Sequence, residues 1–181
     1  YYPSARHARS PGKILLKLFD LFLKRGGHFK KQDVKTINFS SDDKPIIKTN
    51  LNSYTFDKTV IACGAFSKKL TDQVNEKIPL DTERGYHVHF KGHDHLLSRP
   101  IIFLNKGFGI TPMEQGLRVV GTVEFGGLDN PLNKKRILNL VNNAKYLFPE
   151  LSEHCDEWLG FRPTLPDFLP VMGPSKNYKN L

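Results

Sequence analysis

From Pro79 onward the chain changes period, and this change does most to limit its fold. Segments near 82–90, 99–105, 107–113 and 116–125 read as antiparallel strands, and Glu114-Gln115-Gly116 supplies a hairpin turn between the last two. A helix is predicted over 131–148, opened by Pro131 and stopped at Phe148-Pro149, with Ile137, Leu138, Leu140, Val141, Ala144 and Leu147 as its apolar residues. Hydrophobic residues make up 39% of the 181, with 13 Phe, which is enough apolar material for a core and argues against global disorder. No internal repeat or low-complexity tract is visible.

The first half reads differently. Ser10 and Pro11 are good N-cap and first-turn residues, and Ile14, Leu15, Leu18, Leu21 and Phe22 follow at helical spacing. Gly26-Gly27 ends this amphipathic helix, predicted over 11–25. Val34, Ile37 and Phe39 then alternate as a strand, Ser40–Asp43 turns, Ile46-Ile47 begins a return, and a further strand lies near 53–56. Thr59-Val60-Ile61-Ala62-Cys63 is a short continuous apolar run, which predicts a strand buried on both faces in a parallel sheet. Gly64-Ala65 ends it, and a short helix runs toward Val74. The expected fold class is therefore α/β plus α+β, an antiparallel-sheet lobe attached to part of an α/β sheet.

The net charge of +9 raises the question of a nucleic-acid partner. Residues 1–50 hold eleven Lys+Arg against four Asp+Glu, spread over a helix and a hairpin rather than gathered in one tract. No RNP motif, zinc finger or KH loop accompanies them, so the excess reads as a solvated face and no nucleic acid is expected. Cys63 and Cys155 lie far apart and read as ordinary thiols of a reducing compartment, and no Cys/His cluster has the spacing of a metal site. No apolar run approaches the ~18 residues of a membrane span. A cytoplasmic location is expected, with peripheral attachment to the inner membrane as the alternative. The chain opens Tyr-Tyr-Pro, with neither an initiator Met nor the apolar core of a signal peptide, and reads as starting internally.

Three segments carry chemistry. Val60–Ser67 is an apolar run ending in a Cys-Gly-Ala turn, where the backbone is able to approach a ligand closely. Pro79–Val88 sets Asp81, Glu83 and Arg84 beside Gly85, Tyr86 and His87, and reads as a crossover between two domains or as a local salt-bridge network. His87 and His89 share a strand face, but no third ligand stands at a suitable spacing. Trp158–Pro174 holds Arg162 between aromatic and Pro residues. A guanidinium in that setting needs a carboxylate, either Asp167 or one on a substrate, and the residues alone leave both open.

In this order these segments, with Thr111–Arg118 and Gly121–Phe125, resemble the D-amino-acid oxidase superfamily of FAD enzymes. The likeness is greatest to the small-subunit type of bacterial D-amino-acid dehydrogenase, with glycine and sarcosine oxidases further off. The resemblance implies FAD as cofactor and a partial FAD-binding domain of the glutathione-reductase-like Rossmann type, joined to an antiparallel-sheet substrate domain. By it, residues 1–75 form the central part of the FAD domain, 76–160 the substrate domain, and 161–181 return to the FAD domain. Val34 matches the position whose backbone meets the adenosine side of FAD, and Cys63 and Gly64 match the small-Gly pair approaching the cofactor. Arg162 matches the Arg that pairs with the substrate α-carboxylate, while Tyr86, His87 and Phe108 are expected pocket lining. No protein side chain is expected to act as acid, base or nucleophile.

The implied reaction oxidises the CH–NH2 group of a D-amino acid to an imino acid and then a 2-oxo acid, passing electrons to a quinone or O2. A glycine/sarcosine-type amine oxidase, or a non-catalytic carboxylate-binding module of the same fold, are the alternatives. The family's Gly-x-Gly-x-x-Gly loop and its C-terminal Gly-rich segment have no counterpart in these residues. An internal fragment is therefore expected, binding FAD poorly alone and relying on missing segments or an oligomeric partner.

Overall fold

The computed structural model describes residues 6–181. In chain order the elements are α1 (Pro11–Lys24), β1 (Val34–Phe39), β2 (Pro45–Thr49), β3 (Ser53–Thr55), α2 (Lys68–Thr71), β4 (Asp81–Phe90), β5 (Ile101–Phe103), β6 (Phe108–Met113), β7 (Gly116–Glu124), α3 (Lys134–Leu147) and β8 (Cys155–Thr164). By its internal contacts the chain divides into two compact units. One comprises residues up to His28 with Arg84–Phe161, and the other Phe29–Glu83 with Arg162–Leu181.

The first unit is built on a five-stranded sheet of order β5-β6-β7-β4-β8. The pairs β5–β6, β6–β7 and β4–β7 are antiparallel, as the alternating pattern predicts. Gly116 opens β7 at φ +126, and a Cβ there would lie 2.3 Å from the Phe90 carbonyl oxygen, so the hairpin requires glycine at this turn. Period-2 alternation sends Tyr86, Val88, Phe90, Phe108, Ile110, Leu117 and Val119 to one face, where they meet Ile137, Leu140, Val141 and Ala144 of α3. Those four helix positions recur at i, i+3, i+4 and i+7, a single helical stripe. The helix begins at Lys134 rather than 131 because the Asn133 side chain accepts the Lys135 N–H and caps it.

One irregularity in this sheet matters. Tyr86 pairs with Gly121 but Arg84 with Glu124, so β7 carries one residue more than β4 between the two pairs, and Thr122 within that bulge has φ +63. The bulge reverses the alternation and brings Glu124 onto the core face, where the Tyr86 hydroxyl donates to its carboxylate. Glu124 also pairs with Arg84 at 3.3 Å and Arg136 at 3.3 Å. Arg84 is fully buried and donates to the carbonyls of Asn130 (2.9 Å) and Pro131 (2.7 Å). The charges near Pro79 thus enter an internal network through Arg84, with Glu124 as partner rather than Asp81 or Glu83.

The second unit holds the three-stranded antiparallel sheet β1-β2-β3 and the short α2. Ile37, Ile47, Leu70 and Val74 form its small core, joined by Ile61, Tyr178 and Leu181. Glu76 fixes the tail by accepting the Ser175 hydroxyl and the backbone N–H groups of Lys176 (2.9 Å) and Asn177 (3.2 Å).

One sequence expectation is corrected. Thr59–Cys63 does not form a strand: no described strand pairs with it, only Ile61 packs inward, and Val60 is 85% exposed. An apolar run needs neighbours on both sides to become a buried parallel strand, and the described residues provide none. The stretch after Trp158, although it holds Gly160 and Pro163, contributes to β8. That strand lies at the sheet edge, where Pro163, lacking an N–H, is tolerated. By internal contacts, residues up to His28 group with the five-stranded sheet. No helix among the described residues is long and apolar enough to cross a membrane.

Candidate functional site

Arg162 lies near the end of β8 and is exposed. Among the described residues no carboxylate comes within ion-pair distance of it. Asp167, its internal candidate partner, instead accepts the Leu169 N–H at 3.1 Å. Of the two partners the sequence left open, the internal one is not taken up.

Tyr86, His87 and Phe108 belong to the first unit and have unlike surroundings. Tyr86 is wholly buried; burial and its hydrogen bond to Glu124 raise the phenol's pKa above the usual value. Phe108 is 3% exposed and stacks on Phe103 with ring centroids 4.8 Å apart. Both side chains are spent on packing in the core and leave no face for a pocket. His87 points to the other face of the sheet, half-buried, stacked on Trp158 at 4.7 Å and edge-on to His89 at 4.9 Å. Desolvation lowers its pKa to about 4, helped by His89 and Arg118 and opposed by Asp156.

In the second unit Val34 opens β1 and is 41% exposed. Residues 29–33, together with Asn50, line an open recess of about 390 Å3. Cys63 is exposed and its N–H donates to the Ser67 hydroxyl at 3.1 Å. Gly64 has φ +56, and a Cβ on it would meet nothing within 4 Å, so the turn needs glycine for its left-handed backbone and leaves open space beside it. All three positions are at the surface.

The family described as FAD dependent oxidoreductase (DAO) matches residues 1–181. The chain belongs to this family. Over 182 aligned residues this DAO-family chain is 30% identical to a D-amino-acid oxidase of Bradyrhizobium diazoefficiens, the match covering 98% of the chain and 43% of that protein. It is 27% identical over 162 residues to a D-amino acid dehydrogenase of Vibrio atlanticus, covering 80% of the chain and 37% of that protein. The chain thus spans less than half the length of these curated relatives. In fold it is similar to glycine oxidase from Geobacillus kaustophilus, with a TM-score of 0.73 at 23% identity over 84% of the chain and 41% of that structure. It is similar also to iminodiacetate oxidase from a Chelativorans species, with a TM-score of 0.77 at 16% identity over 92% of the chain and 46% of that structure. FAD is the cofactor of the family, and the fold is its mixed α/β fold with antiparallel sheets.

Sequence reasoning considered His89 only as a metal ligand and gave Arg118 no role. Cross-strand pairing sets the two opposite each other. No local signal joins them, because β5 and β6 intervene between β4 and β7 and only strand register sets the two residues opposite each other.

Proposed function

We propose that these residues form the substrate-facing half of an enzyme that oxidises the CH–NH2 group of D-amino acids. The observation that carries the reading is Arg162, an exposed guanidinium on β8 with no carboxylate within ion-pair distance among the described residues. Its fork matches a substrate α-carboxylate bidentately, and such a contact fixes the direction in which Cα presents its hydrogen. Val34, Cys63 and Gly64 would hold FAD by their backbone, and FAD when bound supplies the acceptor for the hydride leaving Cα. The neutral amine lone pair forms the C=N bond as that hydride departs. Water then adds to the imine carbon and ammonia leaves, giving the 2-oxo acid. No side chain need act as nucleophile. The grouping of 162–181 with 29–83 supports a return of the tail to the cofactor side.

Relatives are named both as oxidase and as dehydrogenase, so the electrons go on either to O2 or to a quinone-type acceptor. Oxygen uptake during turnover separates the two. In the FAD-loaded full-length protein, Arg162→Ala is expected to lower kcat/KM at least about a hundredfold. That equals roughly 3 kcal/mol, the worth of two charge-assisted hydrogen bonds. Flavin content should stay unchanged, and Arg162→Lys should recover part of the loss. Normal kinetics in Arg162→Ala would overturn the carboxylate assignment.

A further inference from the structure

The face of the five-stranded sheet turned away from α3 carries an unbalanced group of nitrogen donors. His89 is 7% exposed, and neither of its ring nitrogens has a hydrogen-bond partner. Directly across from it on β7 stands Arg118, half-buried, its Nε also buried and unpartnered. Thr111 follows opposite Arg118 on β6, so imidazole, guanidinium and hydroxyl residues stand in one row across three strands. His87, two residues along β4, leans on His89 and is roofed by Trp158, itself 51% exposed.

Buried polar groups in folded proteins are almost always satisfied, and a guanidinium withdrawn from water without an anion is costly. Yet Arg118 meets no carboxylate within ion-pair distance among the described residues. Asp156 on β8 acts on both imidazoles, but burial alone accounts for the altered acidity of Arg118. A metal is disfavoured, since no group of three or more His, Cys, Asp or Glu among the described residues is disposed to hold one. The missing member is an anion.

We infer that His89 and Arg118, with His87 and Trp158 at the rim, form a binding site for the carboxylate of a small organic acid. A carboxylate suits the site better than a phosphate. A single guanidinium flanked by imidazoles balances one negative charge, and the indole offers an apolar wall to the carbon attached to it. The site lies wholly within the first unit and does not rest on the reaction proposed above. Burial keeps His89 neutral, so it offers one ring N–H to the carboxylate while the guanidinium of Arg118 carries the balancing charge. His87, Arg118 and Asp156 are the charged or titratable groups acting on His89 from β4, β7 and β8.

The test is a titration of the chain with acetate and, separately, with inorganic phosphate, following the ring signals of its histidines by NMR. Acetate is expected to shift His89 and His87 saturably and to raise the pKa of His89. Affinity should fall at least about tenfold in Arg118→Gln and partly recover in Arg118→Lys. Phosphate should bind more weakly. Absence of a saturable acetate response in the unaltered chain, or an equal response in a folded Arg118→Gln, overturns the site. Phosphate binding as tightly as acetate overturns the carboxylate assignment. Should Arg118→Gln fail to fold, the unaltered chain and Arg118→Lys decide the matter.

Discussion

At the scale of single residues, burial decides which charges matter. Glu124 sits on the core face only because of the bulge at Thr122, and among the described residues it is the one carboxylate in ion-pair contact with the buried Arg84. Hydrogen bonding from Tyr86, then from Asn133, together with the charges of Arg84 and Arg136, holds its carboxyl below the usual range. Glu124→Ala leaves Arg84 buried without its anion and should cost about 3–5 kcal/mol in urea unfolding. Lys134→Ala, which breaks an exposed pair with Glu157, should cost no more than about 1 kcal/mol. His87 sets a pH dependence of definite sign. The unfolded chain takes up its proton near the ordinary value of 6.5, the folded one only near 4, so falling pH favours unfolding across that interval. The urea midpoint should drop between about pH 6.5 and pH 4, with His89 contributing in the same direction, and His87→Gln should flatten the drop.

At the scale of elements, a strand is defined by its neighbours and a helix largely by itself. The amphipathic period of 11–25 was sufficient to place α1, and simple alternation placed β4, β6 and β7, because each pattern repeats within its own segment. Thr59–Cys63 read as a strand and is not one, since five apolar residues say nothing of what pairs with them. At β8 no repeating pattern marks a strand, because Gly160, Arg162 and Pro163 interrupt the period of a segment held at the edge by its pairing with β4. Helix α1 carries a consequence of the same kind. None of its residues is buried, and Leu15 and Leu18 are 68% and 59% exposed along an apolar stripe. Stripes of that extent drive association. The chain should therefore show a concentration-dependent increase in size by light scattering. Replacing Leu15 and Leu18 with Lys should suppress the increase while changing stability by no more than about 0.5 kcal/mol per site.

At the scale of the whole molecule, the family and its cofactor were legible because motifs spread from Val60 to Pro174 occur in a specific order, and the full-length family match agrees. Arg162 was read from the same resemblance, and among the described residues no carboxylate lies within ion-pair distance of it. Tyr86 and Phe108 were marked as pocket lining by proximity to those motifs, whereas strand alternation puts both in the core. The His89–Arg118 pair was not legible, since 28 residues separate its members within the chain and only strand register brings them together. The central claim is that Arg162 directs a D-amino acid toward bound flavin. Its most direct test is the visible absorption of the FAD-loaded full-length protein, recorded anaerobically after adding D- or L-alanine, for the natural sequence and for Arg162→Ala. The account predicts rapid bleaching of the flavin by the D-isomer alone, and little bleaching in Arg162→Ala although its flavin stays bound. Equal bleaching by both proteins, or none by any D-amino acid in the natural sequence, would contradict it.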